Sequence, residues 1–174
     1  MTTVYVLFSP CSGRRTQSGL AGRLLAHAAK QALGVPCRLI REPAQAPRIA
    51  GSDLACSLSH TEGAVCAMVS GSACGIDIEK LRTPRLGAAR RLFTENELRA
   101  CPQRFWEIWT SKEALGKAQG TGLTLSLKDE DTLTGPAARL LRTAVFGDYV
   151  LSVCCADDVR LELLPERSLD AVFI

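Results

Sequence analysis

Between Leu54 and Glu79, three strand-like runs (Leu54–Ser59, Ala64–Ser70 and Ala73–Glu79) follow one another with only His60-Thr61-Glu62-Gly63 and Gly71-Ser72 between them. Connections this short cannot carry a parallel crossover, so the pattern predicts an antiparallel meander. The rest of the chain has to pack around it.

Upstream, Val4 to Phe8 reads as a short buried strand and Ser9 to Gly13 as a turn. Thr16 to Leu33 carries apolar residues at Leu20, Leu24, Leu25, Ala28 and Ala32, a helical stripe, and Gly34 stands where a helix ends in a left-handed residue. Val35–Ile40 is a possible strand and Arg41–Asp53 a Pro-rich connection. Thr83–Gly87 marks the midpoint. Beyond it, Thr94-Glu95-Asn96-Glu97 has the form of a capping box, and Pro102 suits the first turn of a helix running to about Ala118. Gly120 and Gly122 break that helix. Leu123–Leu127, Ala138–Phe146, Tyr149–Cys155 and Val159–Leu164 read as strands. Both halves, about 1–84 and 85–174, run helix first and then a small antiparallel sheet. This predicts an α+β fold of two similar units, although no residue-level repeat is visible.

Composition narrows the function. With 174 residues, nearly half of them apolar, the chain can bury a sizeable core. Its net charge of +3 tolerates an acidic partner but is mild for a nucleic-acid binder. The eight cysteines include no C-x-x-C pair and mostly sit in apolar runs, so they read as reduced, structural thiols. The N-terminus has no charged segment followed by an apolar one, and no run of about 18 apolar residues occurs, so the expectation is a cytoplasmic protein without a membrane role.

Two stretches carry chemistry. In Gly75-Ile76-Asp77-Ile78-Glu79 the strand alternation puts Asp77 and Glu79 on one face, Cα atoms roughly 6.6 Å apart, and sends Ile76 and Ile78 to the core. Two carboxylates side by side repel unless something positive lies between them. A hard cation such as Mg²⁺ with substrate phosphates answers that need; a solvated strand end partnered by Lys80 answers it equally. In Trp109-Thr110-Ser111-Lys112-Glu113-Ala114-Leu115-Gly116-Lys117, Glu113 and Lys117 share a helix face, with Trp106 and Thr110 on that side and Lys112 facing away from Lys117. That is either an active-site pair or an ordinary ion pair. His60, just after Ser59, is either a phosphate contact or a satisfied surface histidine.

Taken together, Ser59-His60, Gly75–Glu79 and Phe105–Lys117, with Arg91-Leu92-Phe93-Thr94-Glu95-Asn96-Glu97 upstream and Gly120-Thr121-Gly122-Leu123 downstream, resemble the 4′-phosphopantetheinyl transferases. Order and spacing are those of the larger, surfactin-synthetase-activating (Sfp-like) class. The resemblance covers about Leu54 to Leu127 closely and the remainder loosely. It implies a pseudo-dimer of two α+β halves with the site at their junction. The implied activity moves the 4′-phosphopantetheine arm of coenzyme A onto a serine of an acyl or peptidyl carrier protein. By position, Asp77, Glu79 and Glu113 would hold Mg²⁺, Lys117 would contact the phosphates, and Ser59 and His60 would hold the nucleotide end. Glu113, directly or through a metal-bound water, would be the base for the carrier serine, and Lys117 would steady the leaving group.

The chain departs from the family at two places. The basic segment before the first long helix is short, leaving Arg14 and Arg15 as substitutes. The Gly-Lys-Pro that normally precedes the Ser-His pair appears as Gln45-Ala46-Pro47, with Arg48 adjacent. The implied partner is an acidic helical bundle, and Arg82–Arg104, with Leu86, Leu92 and Phe93, is the candidate surface for it. The protein is expected to act as a monomer. The competing readings are another Mg²⁺-dependent phosphodiester-processing enzyme and a non-catalytic carrier-binding module.

Overall fold

A computed structural model describes residues 1–10, 13–42 and 45–165. In chain order these form β1 (Thr2–Phe8), α1 (Arg14–Leu33), β2 (Leu39–Ile40), β3 (Arg48–Ile49), β4 (Ala55–Thr61), β5 (Ala64–Ser70) and β6 (Cys74–Lys80). There follow α2 (Leu86–Leu92), α3 (Glu95–Ala100), α4 (Phe105–Ala118), two 3₁₀ turns (Leu125–Asp129 and Pro136–Leu140), β7 (Leu141–Phe146), β8 (Tyr149–Cys155) and β9 (Val159–Leu164). The mixed α+β class is as the sequence predicts.

The strands make two principal sheets, ordered β4-β5-β1-β9 and β6-β8-β7, and β2 pairs with β3 in a small ribbon. Alternation sorts the faces. Tyr5, Leu7, Val65, Ala67 and Val69 meet the apolar stripe of α1, Leu20, Leu24, Leu25 and Ala28. From the opposite face of the same sheet, Val4, Val6, Cys66 and Met68 pack on Ile76, Ile78, Leu151 and Val153 of the second sheet. The far side of that sheet carries α4, where Ala114 and Leu115 cluster with Cys154. The result is a helix–sheet–sheet–helix stack. Among the described residues no helix is long and apolar enough to cross a membrane.

The expected meander is corrected by this arrangement. β4 and β5 form the hairpin, but β5 turns to β1 as its other neighbour, and β6 leaves to pair antiparallel with β8, Asp77 opposite Ser152 and Ile78 opposite Leu151. The reason lies in the faces of β6. Its isoleucines already fill the inter-sheet core, and its acids need the polar side chains of α4. A strand extending the first sheet could not meet both.

Other expectations shift too. Val35–Ile40 shrinks to Leu39–Ile40, after Pro36. Leu123–Leu127 is no strand: the segment turns in a 3₁₀ conformation because the Leu127 carbonyl accepts from the Lys112 ammonium (2.6 Å) instead of joining a ladder. Ala138–Leu140 likewise belongs to the turn opened by Pro136, which has no N–H to give a neighbouring strand, and the strand starts at Leu141. Pro102 lies in the turn ahead of α4, which begins at Phe105.

The caps follow their residue types. Gly34 ends α1 at φ 73°, its N–H on the Lys30 carbonyl. The capping box of α3 forms as read: Thr94 accepts from the Glu97 N–H while Glu97 accepts from the Thr94 N–H. The described cysteines are free thiols. Burial pushes Cys56 and Cys154 up to about 11 and Cys74 up to about 12, so they stay protonated. Cys11 lies outside the described residues.

Candidate active site

β6 and α4 carry the site, and Gly75 sets their separation. A Cβ there would collide with the Ala114 carbonyl and the Ala118 N–H, so only glycine lets helix and strand approach this closely. One turn along, Gly116 admits the Gly122 carbonyl against the helix in the same way. This folds Gly120–Gly122 back over the C-terminal end of α4, with Gly120 and Gly122 both at positive φ.

Asp77 is the buried centre, 5% exposed. Its Oδ1 accepts from Lys117 Nζ at 2.8 Å and from Ser59 Oγ at 2.7 Å. Its Oδ2 is buried with no hydrogen-bond partner. Lys117 also donates to the Ile76 carbonyl at 2.9 Å. Burial works against the Lys117 ammonium, but the Asp77 carboxylate outweighs it and holds the pKa above the ordinary lysine value. Glu79 accepts from Thr61 Oγ1 at 3.0 Å and from Arg82 at 3.1 Å. Its carboxyl is pushed up, first by burial and then by Asp77. Glu113 is pushed further, to about 7, by burial and then by Asp77, with Lys117 opposing and Glu79 adding to the rise. These three carboxyls therefore feel one another; strand alternation predicts only that Asp77 and Glu79 share a face, and helix spacing only that Glu113 and Lys117 do.

As placed, no three His, Cys, Asp or Glu side chains among the described residues converge to hold a metal ion. The donor chemistry nonetheless fits a hard cation: an orphaned anionic oxygen on Asp77 and two glutamates whose ionisation is opposed by their surroundings.

The basic groups gather on the other side of β4. Ser59 and His60 are neighbours in a strand and so point to opposite faces. The Ser59 hydroxyl is committed to Asp77, while His60 sits on the α1 side. Burial and the charges of Arg14, Lys117 and Arg41 hold the His60 pKa below the usual histidine value, keeping the ring neutral and able both to donate and to accept. Arg14 opens α1 and is exposed, as is Arg15. Neither has an ion-pair partner among the described residues. Arg48 is engaged elsewhere, on Glu42 at 3.2 Å.

Beside Lys117 opens a cavity of about 310 Å³ lined by Pro47, Cys56, Leu58, Lys117, Gly120 and Gly122. The Gln45-Ala46-Pro47 segment therefore does border the site.

Three participants were not legible as such in the sequence. Arg41, read as part of a connection, lies along α1 with its guanidinium on the Ser18 carbonyl and hydroxyl (3.3 and 3.4 Å) and reaches the surroundings of His60. Trp106 donates to the Arg82 carbonyl at 2.7 Å and lies under the Arg82 guanidinium, 5.5 Å from its ring centroid, which holds that arginine on Glu79. Lys112 does face away from Lys117, but it is completely buried. It pairs with the equally buried Glu97 at 3.0 Å and donates to the Leu127 and Glu130 carbonyls. Glu97 completes its shell with the Thr132 N–H and hydroxyl. The capping-box pattern marks Glu97 as an N3 residue; nothing in it signals a buried counter-ion for α4.

Residues 73–156 match the model of the 4′-phosphopantetheinyl transferase superfamily. The chain is 37% identical over 114 residues to the 4′-phosphopantetheinyl transferase HetI of Nostoc sp. (strain PCC 7120), an alignment covering 59% of this chain and 48% of that protein. It is 32% identical over 79 residues to the 4′-phosphopantetheinyl transferase ffp of Bacillus subtilis, covering 41% of this chain and 35% of that protein. The chain thus spans less than half the length of these curated relatives. The matched family segment contains both Gly75–Glu79 and Glu113–Lys117, the stretches on which the resemblance was drawn, and that resemblance is borne out.

Proposed function

We propose that this relative of the 4′-phosphopantetheinyl transferases is itself such an enzyme. It would transfer the 4′-phosphopantetheine group of coenzyme A to a serine of an apo acyl or peptidyl carrier protein with Mg²⁺. The observation that carries the reading is Lys117 of α4 reaching across to Asp77 of β6 while the second Asp77 oxygen is buried without a partner. Acids and a cation from two segments far apart in the chain meet at that point, beside a cavity. The two sheet-plus-helix layers, α1 with β4-β5-β1-β9 and α4 with β6-β8-β7, favour a pseudo-dimeric form of the fold, although they are not the sequence halves 1–84 and 85–174, since β6 and β9 exchange sheets and β9 joins β1 in parallel.

Asp77, Glu79 and Glu113 would hold Mg²⁺, which when bound neutralises diphosphate charge and favours departure of the leaving group. The protein's own groups do the remainder. Arg14 and Arg41 supply positive charge for phosphate with the neutral His60 ring as a hydrogen-bonding partner beside them, and the 310 Å³ cavity receives the nucleoside end. Lys117, tethered to Asp77, offers its remaining hydrogen to a phosphate oxygen. Glu113, directly or through a water, takes the proton of the carrier serine as the serine Oγ bonds to phosphorus and the bond to adenosine 3′,5′-bisphosphate breaks. The carrier would dock at the groove between α2 and the segment that follows α4, about 420 Å³ lined by Ala88, Arg91, Leu92, Leu123 and Leu125. Leu125 in the groove and Leu86 at the start of α2 are 63% and 45% exposed, whereas Phe93, expected on this surface, is buried in the core against Phe105 and takes no part; Arg85, Arg90 and Arg91 suit an acidic helical bundle. A cytoplasmic, monomeric enzyme is the matching setting.

The test is direct. The protein is mixed with Mg²⁺, coenzyme A and several apo carrier proteins, and each carrier is weighed intact. A gain of one phosphopantetheine is expected, lost in Asp77→Ala and in Glu113→Ala. No gain on any carrier would sink the reading.

A further inference from the structure

β4 faces the free edge of β6 with a row of hydroxyls at alternate positions, Ser57, Ser59 and Thr61. Each meets β6 at a different point. Ser57 Oγ accepts from the Ile76 N–H at 3.1 Å, Ser59 Oγ donates to Asp77 Oδ1 at 2.7 Å, and Thr61 Oγ1 donates to Glu79 Oε2 at 3.0 Å. Thr61 also accepts from the Lys80 N–H at 3.3 Å. The sense of the hydroxyl follows from its partners: the N–H can only donate and the carboxylate only accept, so the hydroxyl hydrogen lies toward Glu79. A hydroxyl directed in this way sets the rotamer of its acceptor as well as satisfying it.

We propose that Thr61, together with Ser59, is a positioning residue for the acidic centre: the β4 hydroxyls hold the Glu79 and Asp77 carboxylates in the orientation in which they take a divalent cation. The inference rests on the metal-binding part of the proposed function. It assigns to Ser59 a role toward the acids and gives Thr61 a function of its own. Glu79 is the residue for which such support matters most, being only partly buried and drawn outward by Arg82 at 3.1 Å. Thr61 and Arg82 bond the same oxygen, Oε2, so Thr61 fixes from the β4 side a carboxylate that would otherwise be held only by an exposed arginine. Ser57 provides an internal control, since it makes an edge bond of the same kind and touches no carboxylate.

The test uses the full chain and Mn²⁺ as the probe, with binding followed by calorimetry and by the paramagnetic resonance of free Mn²⁺, independently of any transfer activity. Thr61→Val keeps the side-chain shape and removes the donor. It is expected to weaken Mn²⁺ binding by about 10–100-fold, the range found when a group supporting a ligand is lost. Thr61→Ser restores the donor and should bind within about threefold of wild type on the same scale. Ser57→Ala should leave Mn²⁺ affinity unchanged. In a Glu79→Gln background, Thr61→Val should add nothing. Should Thr61→Val fail to fold, Thr61→Cys, a weak donor of similar size, takes its place. Wild-type affinity in Thr61→Val, or equal weakening in Ser57→Ala, overturns the inference. Absence of Mn²⁺ binding by the wild type overturns it together with the metal reading beneath it, a result distinguishable from the other two.

Discussion

Glu113 gives the most quantitative handle on the acidic centre, because its cost can be measured without substrate. In the metal-free protein its pKa rises from the 4.5 of an exposed glutamate to about 7, through burial and then the Asp77 charge. The folded state therefore binds the Glu113 proton more tightly than the unfolded chain does. That contribution to stability is fully present below pH 4.5 and is lost as pH rises through 7. By linkage the raised pKa lowers the stability of the fold by on the order of 3 kcal/mol at pH 8, where the buried group is ionised, and by about 1.4 kcal/mol at pH 5.5, where the folded group keeps a proton that the unfolded chain gives up. Glu113→Gln keeps the shape and removes the charge. In EDTA it should raise Tm by about 6–12 °C at pH 8 for a chain of this size, with the gain more than halved at pH 5.5. Adding Mg²⁺ should narrow the gap, since the cation stabilises only the carboxylate form. Differential scanning calorimetry at the two pH values decides it. A gap that does not depend on pH, or a variant less stable than wild type at pH 8, would refute the argument that burial and Asp77 hold this carboxyl up.

Three further outcomes are expected. Gly75→Ala drives a methyl into the α4 backbone and should cost several degrees of Tm together with all transfer activity, both read on the purified variant. Lys112→Met leaves Glu97 charged and buried, costing about 3–5 kcal/mol in urea unfolding, while Lys112→Met with Glu97→Leu should recover most of that loss. Arg41→Gln should raise KM for coenzyme A about tenfold with kcat held, the loss of one charge-assisted bond to phosphate. Loss of kcat alone would place Arg41 outside the phosphate contacts.

The sequence and the fold agree where a single local rule decides. Gly34 ends α1 and Thr94–Glu97 cap α3 because cap chemistry depends on a few adjacent residues. Asp77 and Glu79 share a face because strand alternation is strict. Disagreement sets in where partners are far apart in the chain. A period-two pattern in Cys74–Lys80 marks a strand but carries no information on which strand it pairs with, so the hairpin-like spacing pointed to β5 when the partner is β8. Lys112 looks like a surface residue of an amphipathic helix until Glu97 and the Leu127 and Glu130 carbonyls are brought to it. Arg41 was obscured for a similar reason, lying in a Pro-rich connection whose path is set by α1. The acids and Lys117 were visible through order and spacing; the hydroxyl row on β4 that supports them requires the register between two strands that never pair.

β1 and β9 lie side by side in parallel from Thr2↔Val159 to Leu7↔Leu164, although about 150 residues of chain lie between them. Closing a loop of that length costs about 4–5 kcal/mol in chain entropy before the ladder returns anything. During synthesis β1 emerges first and then waits as an open edge until β9 leaves the ribosome, so its outer row of N–H and C=O groups is available to other chains throughout. Expression yield should therefore depend on how fast the last strand arrives. Slow codons or truncation near residue 159 should favour aggregation, and a chaperone that shields β1 should relieve it.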